Sequence, residues 1–149
     1  MNTATHENGG TLSTIMAGWL SASRSRDRAA SLDSSTLVLI ELVYDPADPW
    51  TISVHFPEPK WLLFREDLWS CTQGSLSRGL GDVRITSERQ GFTRIDLSSP
   101  TGKASLWLDT PTLNEFLYMS YVLIPEGQEM KGVDWEYETC LLLDGGAWS

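Results

Sequence analysis

The segment TLVLIELVYDPADPWTISVHF, residues 36–56, decides the fold. Its first part, Thr36–Tyr44, is a short apolar run rich in residues that favour β-strands. Its last part, Trp50–Phe56, alternates apolar and polar side chains, which is the pattern of a strand with one buried face. The prolines and aspartates of residues 45–49 predict a turn between the two parts. We therefore expect an antiparallel hairpin, with Thr36–Tyr44 as a central strand.

Further strands are predicted on both sides of this hairpin. Each is a short segment of strand-forming residues bounded by glycine, proline or polar turns, and these segments cover 12–22, 61–64, 83–88, 92–98 and 103–108. The stretch Gln73–Gly81 contains Gly74, Gly79 and Gly81 and predicts a flexible connection.

Helices are predicted at the joints between the strands. A short one suits Arg65 to Cys71, and a longer one begins with Thr110 as cap and Pro111 at its first position, and ends before Pro125. A last helix is predicted over Asp134 to Leu143, although the alternation of acidic and apolar residues there also suits a strand.

The order of these elements predicts an α+β fold in which antiparallel, barrel-like sheets are packed against helices. With 149 residues the chain is long enough for one domain with one core. Residues 1–10 are polar and lack periodicity, so we expect a disordered leader there and a single domain over 11–149.

Charge and hydropathy narrow the function classes. The net charge of −9 and the pI near 4.5 disfavour nucleic acid as a partner, because phosphates are bound through lysine and arginine. No apolar run approaches the roughly 18 residues of a spanning helix, and the start of the chain does not resemble a signal peptide. These features predict a cytoplasmic protein without membrane insertion.

Residues that could carry chemistry are sparse. Cys71 and Cys140 lack metal-site spacing, and the two histidines, His6 and His55, lie near neither of them in sequence. The aspartates of the 45–49 turn are better explained as side chains that bond the turn backbone. We therefore predict no catalytic, metal or cofactor site, no cofactor, and no enzyme activity.

Tryptophan is unusually frequent, with seven residues in the chain. Trp50, Trp61 and Trp107 fall in strands and suit the core. The other four lie at the margins of elements, where an indole either packs in the core or meets a partner or another subunit. Both alternatives stay open for these candidate interface residues, which are Trp19, Trp69, Trp135 and Trp148.

A candidate basic spot is formed by Arg24, Arg26 and Arg28, which recur at every second position. On an extended chain this spacing places three cations on one side. Such a row either binds a phosphate or an acidic partner, or forms a solvated margin that keeps a sheet edge from aggregating.

Several motifs, in a fixed order, resemble the SsgA-like proteins of sporulating actinobacteria over roughly residues 32–143. The motifs are Tyr44–Trp50 with Phe56, Phe64–Leu68, Gly79–Arg84, Leu97–Gly102 with Ala104, Phe116–Leu117, Pro125–Gly127 with Glu129, and Asp134–Glu136. One departure concerns the family's usual Phe-Ala-Arg-Asp-Leu-Leu, which here becomes Phe64-Arg65-Glu66-Asp67-Leu68-Trp69, so that the arginine is displaced.

The resemblance implies a non-enzymatic regulator or adaptor of sporulation-specific cell division, located at the division septum. It implies protein contacts in septum-site selection, with FtsZ or another SsgA-like protein as partner. It also implies a fold that resembles the Whirly type, assembled as a homotrimer. Because Whirly folds bind single strands, a single-stranded nucleic-acid binder is the alternative function.

Overall fold

The computed structural model describes residues 5–8, 10–23, 35–55, 60–74, 77–100 and 102–132. Within these ranges the chain forms nine strands and two α-helices. In chain order they are β1 Thr5–Asn8, β2 Thr11–Ser23, β3 Thr36–Tyr44, β4 Thr51–His55, β5 Lys60–Phe64, α1 Arg65–Thr72, β6 Ser77–Leu80, β7 Val83–Ser87, β8 Phe92–Ser99, β9 Gly102–Asp109 and α2 Thr110–Leu123. A short 3₁₀ turn covers Glu129–Gly132.

The strands form one antiparallel sheet in the order β5-β4-β3-β2-β9-β8-β7-β6. The predicted hairpin is confirmed, because β3 and β4 are antiparallel neighbours with Leu42 opposite Val54. The central position of β3 is confirmed too, since it lies between β2 and β4. The α+β class is therefore confirmed. The sequence analysis expected more than one sheet, whereas the strands form a single sheet.

The sheet is curled around helix α1. This helix contacts β5 at one end of the sheet and β6 at the other end, which a flat sheet of this width would not allow. The two edges thus approach each other across the helix, and the barrel-like shape follows. Helix α2 packs against α1 and β9.

The core lies between the inner face of the curled sheet and the two helices. Strand alternation sends every second side chain inward, and the register places inward residues opposite each other, as in Met16 with Ile40. The helices add Leu68 and Cys71 from α1. From α2 they add Leu113, Phe116 and Leu117. All of these side chains belong to one buried cluster.

The prediction of a flexible connection over Gln73–Gly81 was wrong in its second half, where β6 forms. The sequence of β6 is too short and too polar to show a strand period, and its structure comes from pairing with β7. Leu80 pairs with Val83, so Gly81 and Asp82 form a two-residue hairpin loop. Gly81 has a φ of 65°, as the first position of a type II′ turn requires.

Two further elements bear on the sequence predictions. Strand β1 lies within residues 1–10, where we expected a disordered leader, and it pairs with β2 from Thr5 opposite Thr14 to Asn8 opposite Thr11. The division into a leader and a single domain over 11–149 stays a prediction. The helix α2 is capped by Asp109 and not by Thr110, because the Asp109 carboxylate accepts a hydrogen bond from the Thr112 amide at 3.0 Å. The helix predicted over 134–143 lies outside the described residues.

Candidate interaction surface

Arg65, the first residue of α1, is a buried cation. Its side chain is only 2% exposed, and its backbone amide donates to the Trp50 carbonyl at 2.8 Å. The backbone bond ties the start of α1 to the residue that precedes β4. The fold thereby places a charged side chain inside the molecule, where it needs partners.

Three acceptors satisfy the Arg65 guanidinium. It donates to the backbone carbonyls of Ser120 at 3.0 Å and Ile124 at 2.9 Å, and to the Glu129 carboxylate at 3.3 Å. The two carbonyls lie at the C-terminal end of α2, where the helix dipole favours a positive charge. Glu129 also accepts from the Gly127 amide at 3.2 Å. Arg65 therefore joins the start of α1, the end of α2 and the turn that follows α2.

Two tyrosine rings enclose the same guanidinium. Its carbon lies 3.9 Å from the ring centre of Tyr121 and 4.9 Å from that of Tyr44. Burial raises the pKa of Tyr44 to about 12, and the Tyr44 hydroxyl donates to the Pro49 carbonyl at 3.1 Å. Burial also raises the pKa of Tyr121. Both phenols are consequently neutral around Arg65 at physiological pH.

The sequence did not single out Arg65 as a functional or structural residue. Charged residues are exposed in most proteins, and no local pattern marks one that is buried. The one available signal was the displaced arginine in the Phe64–Trp69 motif. Its partners at residues 120, 124 and 129 are far away in sequence.

A pocket of about 210 Å³ opens beside Arg65. Its walls are aromatic and its rim is acidic, and the lining residues are Trp50, Phe64, Arg65, Glu66, Asp67, Tyr121, Glu126 and Glu129. We call this the Arg65 pocket. Trp50 is 47% and Phe64 is 51% exposed, so both rings offer free surface at the pocket.

The assignment of Trp50 to the core was wrong. Strand β4 begins only at Thr51, and Trp50 belongs to the turn before it, so the alternation read from the sequence does not reach this residue. The predicted bond from an aspartate side chain to the turn backbone is confirmed for Asp45, whereas Asp48 bonds a side chain of β4. Asp45 accepts from the Ala47 amide at 2.9 Å, and Asp48 accepts from the Thr51 hydroxyl at 2.6 Å.

A second exposed apolar surface runs along α2. One face of the helix is buried in the core, and the opposite face carries Tyr118, Met119 and Val122, all exposed. Glu115 is the acidic member of this face. We call these four residues the α2 outer face. An amphipathic helix normally turns charged residues outward, so three exposed apolar side chains mark this face as unusual.

A third apolar surface lies on the outer face of the sheet. The register of β2 and β3 places Ala17 opposite Leu39 and Trp19 opposite Leu37, on the side that faces away from the helices. Ile15, Leu37 and Leu39 are exposed there, Leu39 by 70%. We call these three residues the outer sheet patch.

The structure describes two of the four candidate interface tryptophans. Trp19 is half-buried and meets Phe92 edge to face, with ring centres 5.5 Å apart. Trp69 packs against the core and meets Tyr121 edge to face at 5.2 Å. Both rings have partners within the chain, and their role in an interface stays a prediction. Trp135, Trp148 and the basic spot of Arg24, Arg26 and Arg28 lie outside the described residues.

The remaining tryptophans, cysteine and histidine that the sequence analysis considered, so far as the structure describes their side chains, are buried or half-buried. Trp107 is buried, and Trp61 is partly buried against the core. The Cys71 thiol is buried, donates to the Ile85 carbonyl at 3.4 Å, and has its pKa raised by burial. His55 is half-buried at the outer face, opposite Glu41 on β3.

The described residues lack a metal-binding cluster and a membrane-spanning helix. They contain no group of three or more histidine, cysteine, aspartate or glutamate side chains placed to hold a metal ion. Neither of their α-helices, of 8 and 14 residues, is long enough to cross a membrane.

Comparison with known proteins assigns the chain to a class. A family model described as "Streptomyces sporulation and cell division protein, SsgA" matches residues 38–129. This match covers more than half of the chain and includes the Arg65 pocket and α2. The class is therefore that of sporulation and cell-division proteins.

Individual relatives agree with the family model. The sporulation-specific cell division protein SsgB of Thermobifida fusca is 37% identical over 110 residues, 68% of this chain and 78% of the relative. SsgB of Streptomyces coelicolor is 34% identical over 123 residues, 76% of this chain and 87% of the relative. The chain belongs to the SsgA family, and these homologues support a role in sporulation cell division.

A solved structure shows the same fold. The crystal structure of an SsgA-like sporulation-specific cell division protein from Thermobifida fusca superimposes with a TM-score of 0.65 at 29% identity. The alignment covers 91% of this chain and 98% of that chain. The likeness to the Whirly fold that the resemblance implied stays a prediction.

Proposed function

We propose that this chain is a non-enzymatic adaptor of sporulation-specific cell division that acts through protein contacts at the septum. Its partner is FtsZ or another SsgA-like protein. The observation that carries the proposal is the α2 outer face, which exposes Tyr118, Met119 and Val122 on the side of the helix opposite its buried residues. Apolar surfaces of this kind are typical of protein interfaces.

The chemistry of the described residues supports a role without catalysis. A nucleophilic cysteine needs a lowered pKa and access to solvent, whereas Cys71 is buried with a raised pKa. The Asp45 carboxylate bonds the Ala47 amide of its own turn, and the Asp48 carboxylate bonds the Thr51 hydroxyl at the start of β4. The contacts of these groups stabilise the fold. The family, moreover, is one of cell-division regulators.

The alternative, single-stranded nucleic-acid binding, has weaker support. The chain carries a net charge of −9. Arg65 is buried with Glu129, Arg94 pairs with Glu88 and Asp96, and Arg78 lies 3.7 Å from Asp67. Cations paired with carboxylates are poor phosphate ligands. Titration with labelled single strands at low salt tests this alternative, and tight, salt-sensitive binding there would favour it.

The adaptor proposal is tested by complementation. Deletion of the gene is expected to impair sporulation septa, and the parent chain is expected to restore them. Val122→Ser on the α2 outer face should fail to restore them, because it removes apolar contact area at the interface. Leu62→Ser is the matched control, since Leu62 is similarly exposed but lies on the outer side of β5.

A binding measurement with purified proteins distinguishes a lost partner contact from a loss of folding. We test purified FtsZ and a purified SsgA-like protein, which we call the family relative. The one that is the partner should bind the parent chain or the Leu62→Ser variant more tightly than the Val122→Ser variant. Both variants should keep the parent's thermal unfolding midpoint. Normal septation after deletion of the gene would contradict the proposal.

A further inference from the structure

We propose that the Arg65 pocket receives a lysine or arginine side chain from a basic segment of the partner protein. The inference rests on the proposed function, because it names the chemistry of the partner that the adaptor binds. It concerns a different surface from the α2 outer face. Tyr121 belongs to the same helix and lines the pocket, so one partner can reach both surfaces.

Charge is the first argument. The pocket is lined by one arginine and four carboxylates, which is a net charge of 1 − 4 = −3. Glu129 is occupied by Arg65 and Asp67 lies 3.7 Å from Arg78. Glu66 and Glu126 are exposed, and neither belongs to the ion pairs that the described residues form. Two carboxylates at the pocket rim are therefore available to a cation.

The exposed aromatic rings are the second argument. Trp50 and Phe64 line the same pocket and are each about half exposed. The faces of aromatic rings attract cations, and tryptophan does so most strongly. A long side chain with an apolar stem and a cationic end fits between such rings and a carboxylate rim. Lysine and arginine are the side chains with this construction.

An anionic ligand is disfavoured at this pocket. The Arg65 guanidinium is 2% exposed, and Glu129 already balances its charge. The other three carboxylates of the lining would repel a phosphate or a carboxylate. The pocket therefore presents negative charge and aromatic faces, and a cation satisfies both.

The probe for the test is a short peptide, acetyl-Gly-Arg-Arg-Gly-amide. The neutral control is the same peptide with citrulline in place of both arginines, because citrulline keeps the shape and loses the charge. Backbone amide shifts of isotopically labelled full-length protein report the site. Shifts should centre on Trp50, Phe64–Asp67 and Tyr121–Gly127 with the arginine peptide, and should weaken at high salt. The citrulline peptide should cause no comparable shifts.

Variants distinguish peptide binding at the pocket from attraction to the negative charge of the whole protein. The double variant Glu66→Gln/Glu126→Gln should weaken peptide binding about tenfold, since it removes two exposed ion pairs. Asp82→Asn/Glu41→Gln removes the same charge from two positions outside both the pocket and the α2 outer face, and should leave binding within about twofold. Trp50→Leu should also weaken binding, because leucine keeps apolar contact but has no aromatic face.

Three results would overturn the proposal. The first is equal loss of binding in both double variants, or shifts spread over the whole acidic surface. The second is unchanged binding by Trp50→Leu. The third is tighter peptide binding after Arg24→Gln/Arg26→Gln/Arg28→Gln, which would make the chain's own basic segment the occupant.

Failure of this proposal differs from failure of the adaptor function. If the Glu66→Gln/Glu126→Gln variant restores septa like the parent and binds FtsZ or the family relative equally well, the pocket is not the partner's site and the adaptor proposal stands. If the peptide binds the pocket as described but deletion of the gene leaves septation normal, the adaptor proposal fails alone.

Discussion

The guanidinium carbon of Arg65 lies 3.9 Å from the ring centre of Tyr121, so the first residue of α1 rests on the last turns of α2. The same guanidinium donates to the carbonyl of Ser120 in α2 and to that of Ile124, which follows the helix. One side chain thus joins both helices and supports the wall of the pocket. The Arg65 contacts connect the stability of the fold with the shape of its candidate site.

Replacing Arg65 should destabilise the protein strongly. Arg65→Met keeps much of the volume but removes the charge, which leaves Glu129 buried without its ionic partner and takes one donor away from each of the carbonyls of Ser120 and Ile124. We expect a loss of about 3–5 kcal/mol in the free energy of unfolding, measured by urea denaturation. Arg84→Met on the exposed side of β7 is the control and should change stability by about 0.5 kcal/mol or less. A loss below about 1 kcal/mol for Arg65→Met would contradict the central role of Arg65.

Gly79 and Gly81 should respond differently to alanine. Both have positive φ, 154° and 65° respectively, but a Cβ at Gly79 would lie 2.3 Å from the Val83 carbonyl oxygen, whereas a Cβ at Gly81 meets nothing within 4 Å. Gly81→Ala should therefore cost only the backbone strain, about 1–2 kcal/mol. Gly79→Ala carries the additional clash with backbone and should cost at least about 2 kcal/mol more. Thermal unfolding of the pair measures the difference, and equal effects would show that β6 yields to the added methyl group.

Stability should fall at alkaline pH because of Tyr44. Its pKa is raised from 10.0 to about 12 by burial, so the unfolded chain loses this proton before the folded one does. The contribution of Tyr44 is complete below pH 10 and is lost between about pH 10 and 12, at up to about 1.4 kcal/mol per pH unit. Urea denaturation across this range should show a shallower decline for Tyr44→Phe. Tyr118→Phe, at an exposed position, should lose stability with pH as the parent does. If the stability of Tyr44→Phe falls as steeply as that of the parent, Tyr44 is not the cause of the decline.

The outer sheet patch should hold copies of this chain together. We expect a homo-oligomer, with a trimer favoured, and an apolar sheet surface such as Ile15, Leu37 and Leu39 suits contact between copies. Leu39→Asp should reduce the mass measured by light scattering at micromolar concentration, because it places a charge in the interface. Glu115→Gln on α2 should keep the parent mass. A monomeric parent protein would contradict the prediction.

Strands with a clear apolar pattern were predicted from the sequence, and a strand without such a pattern was missed. Thr36–Tyr44 and the strands at 83–88, 92–98 and 103–108 were found because apolar residues, alternation and turn residues agree there. Strand β6 was missed because Ser77–Leu80 has little apolar content and becomes a strand only by pairing with β7. Trp50 was misplaced because the alternation of the following strand continues by chance into the turn before it.

The sequence by itself determined the hairpin, the order of the strands and helices apart from β1 and β6, and the family, because these depend on local patterns and on motif order along the chain. Only the tertiary structure decided that Arg65 is buried, that Trp50 and Phe64 flank an acidic pocket, and that α2 exposes an apolar face. The reason is distance in sequence: Arg65 is satisfied by residues 120, 124 and 129, and no local pattern reports a contact across 55 or more residues.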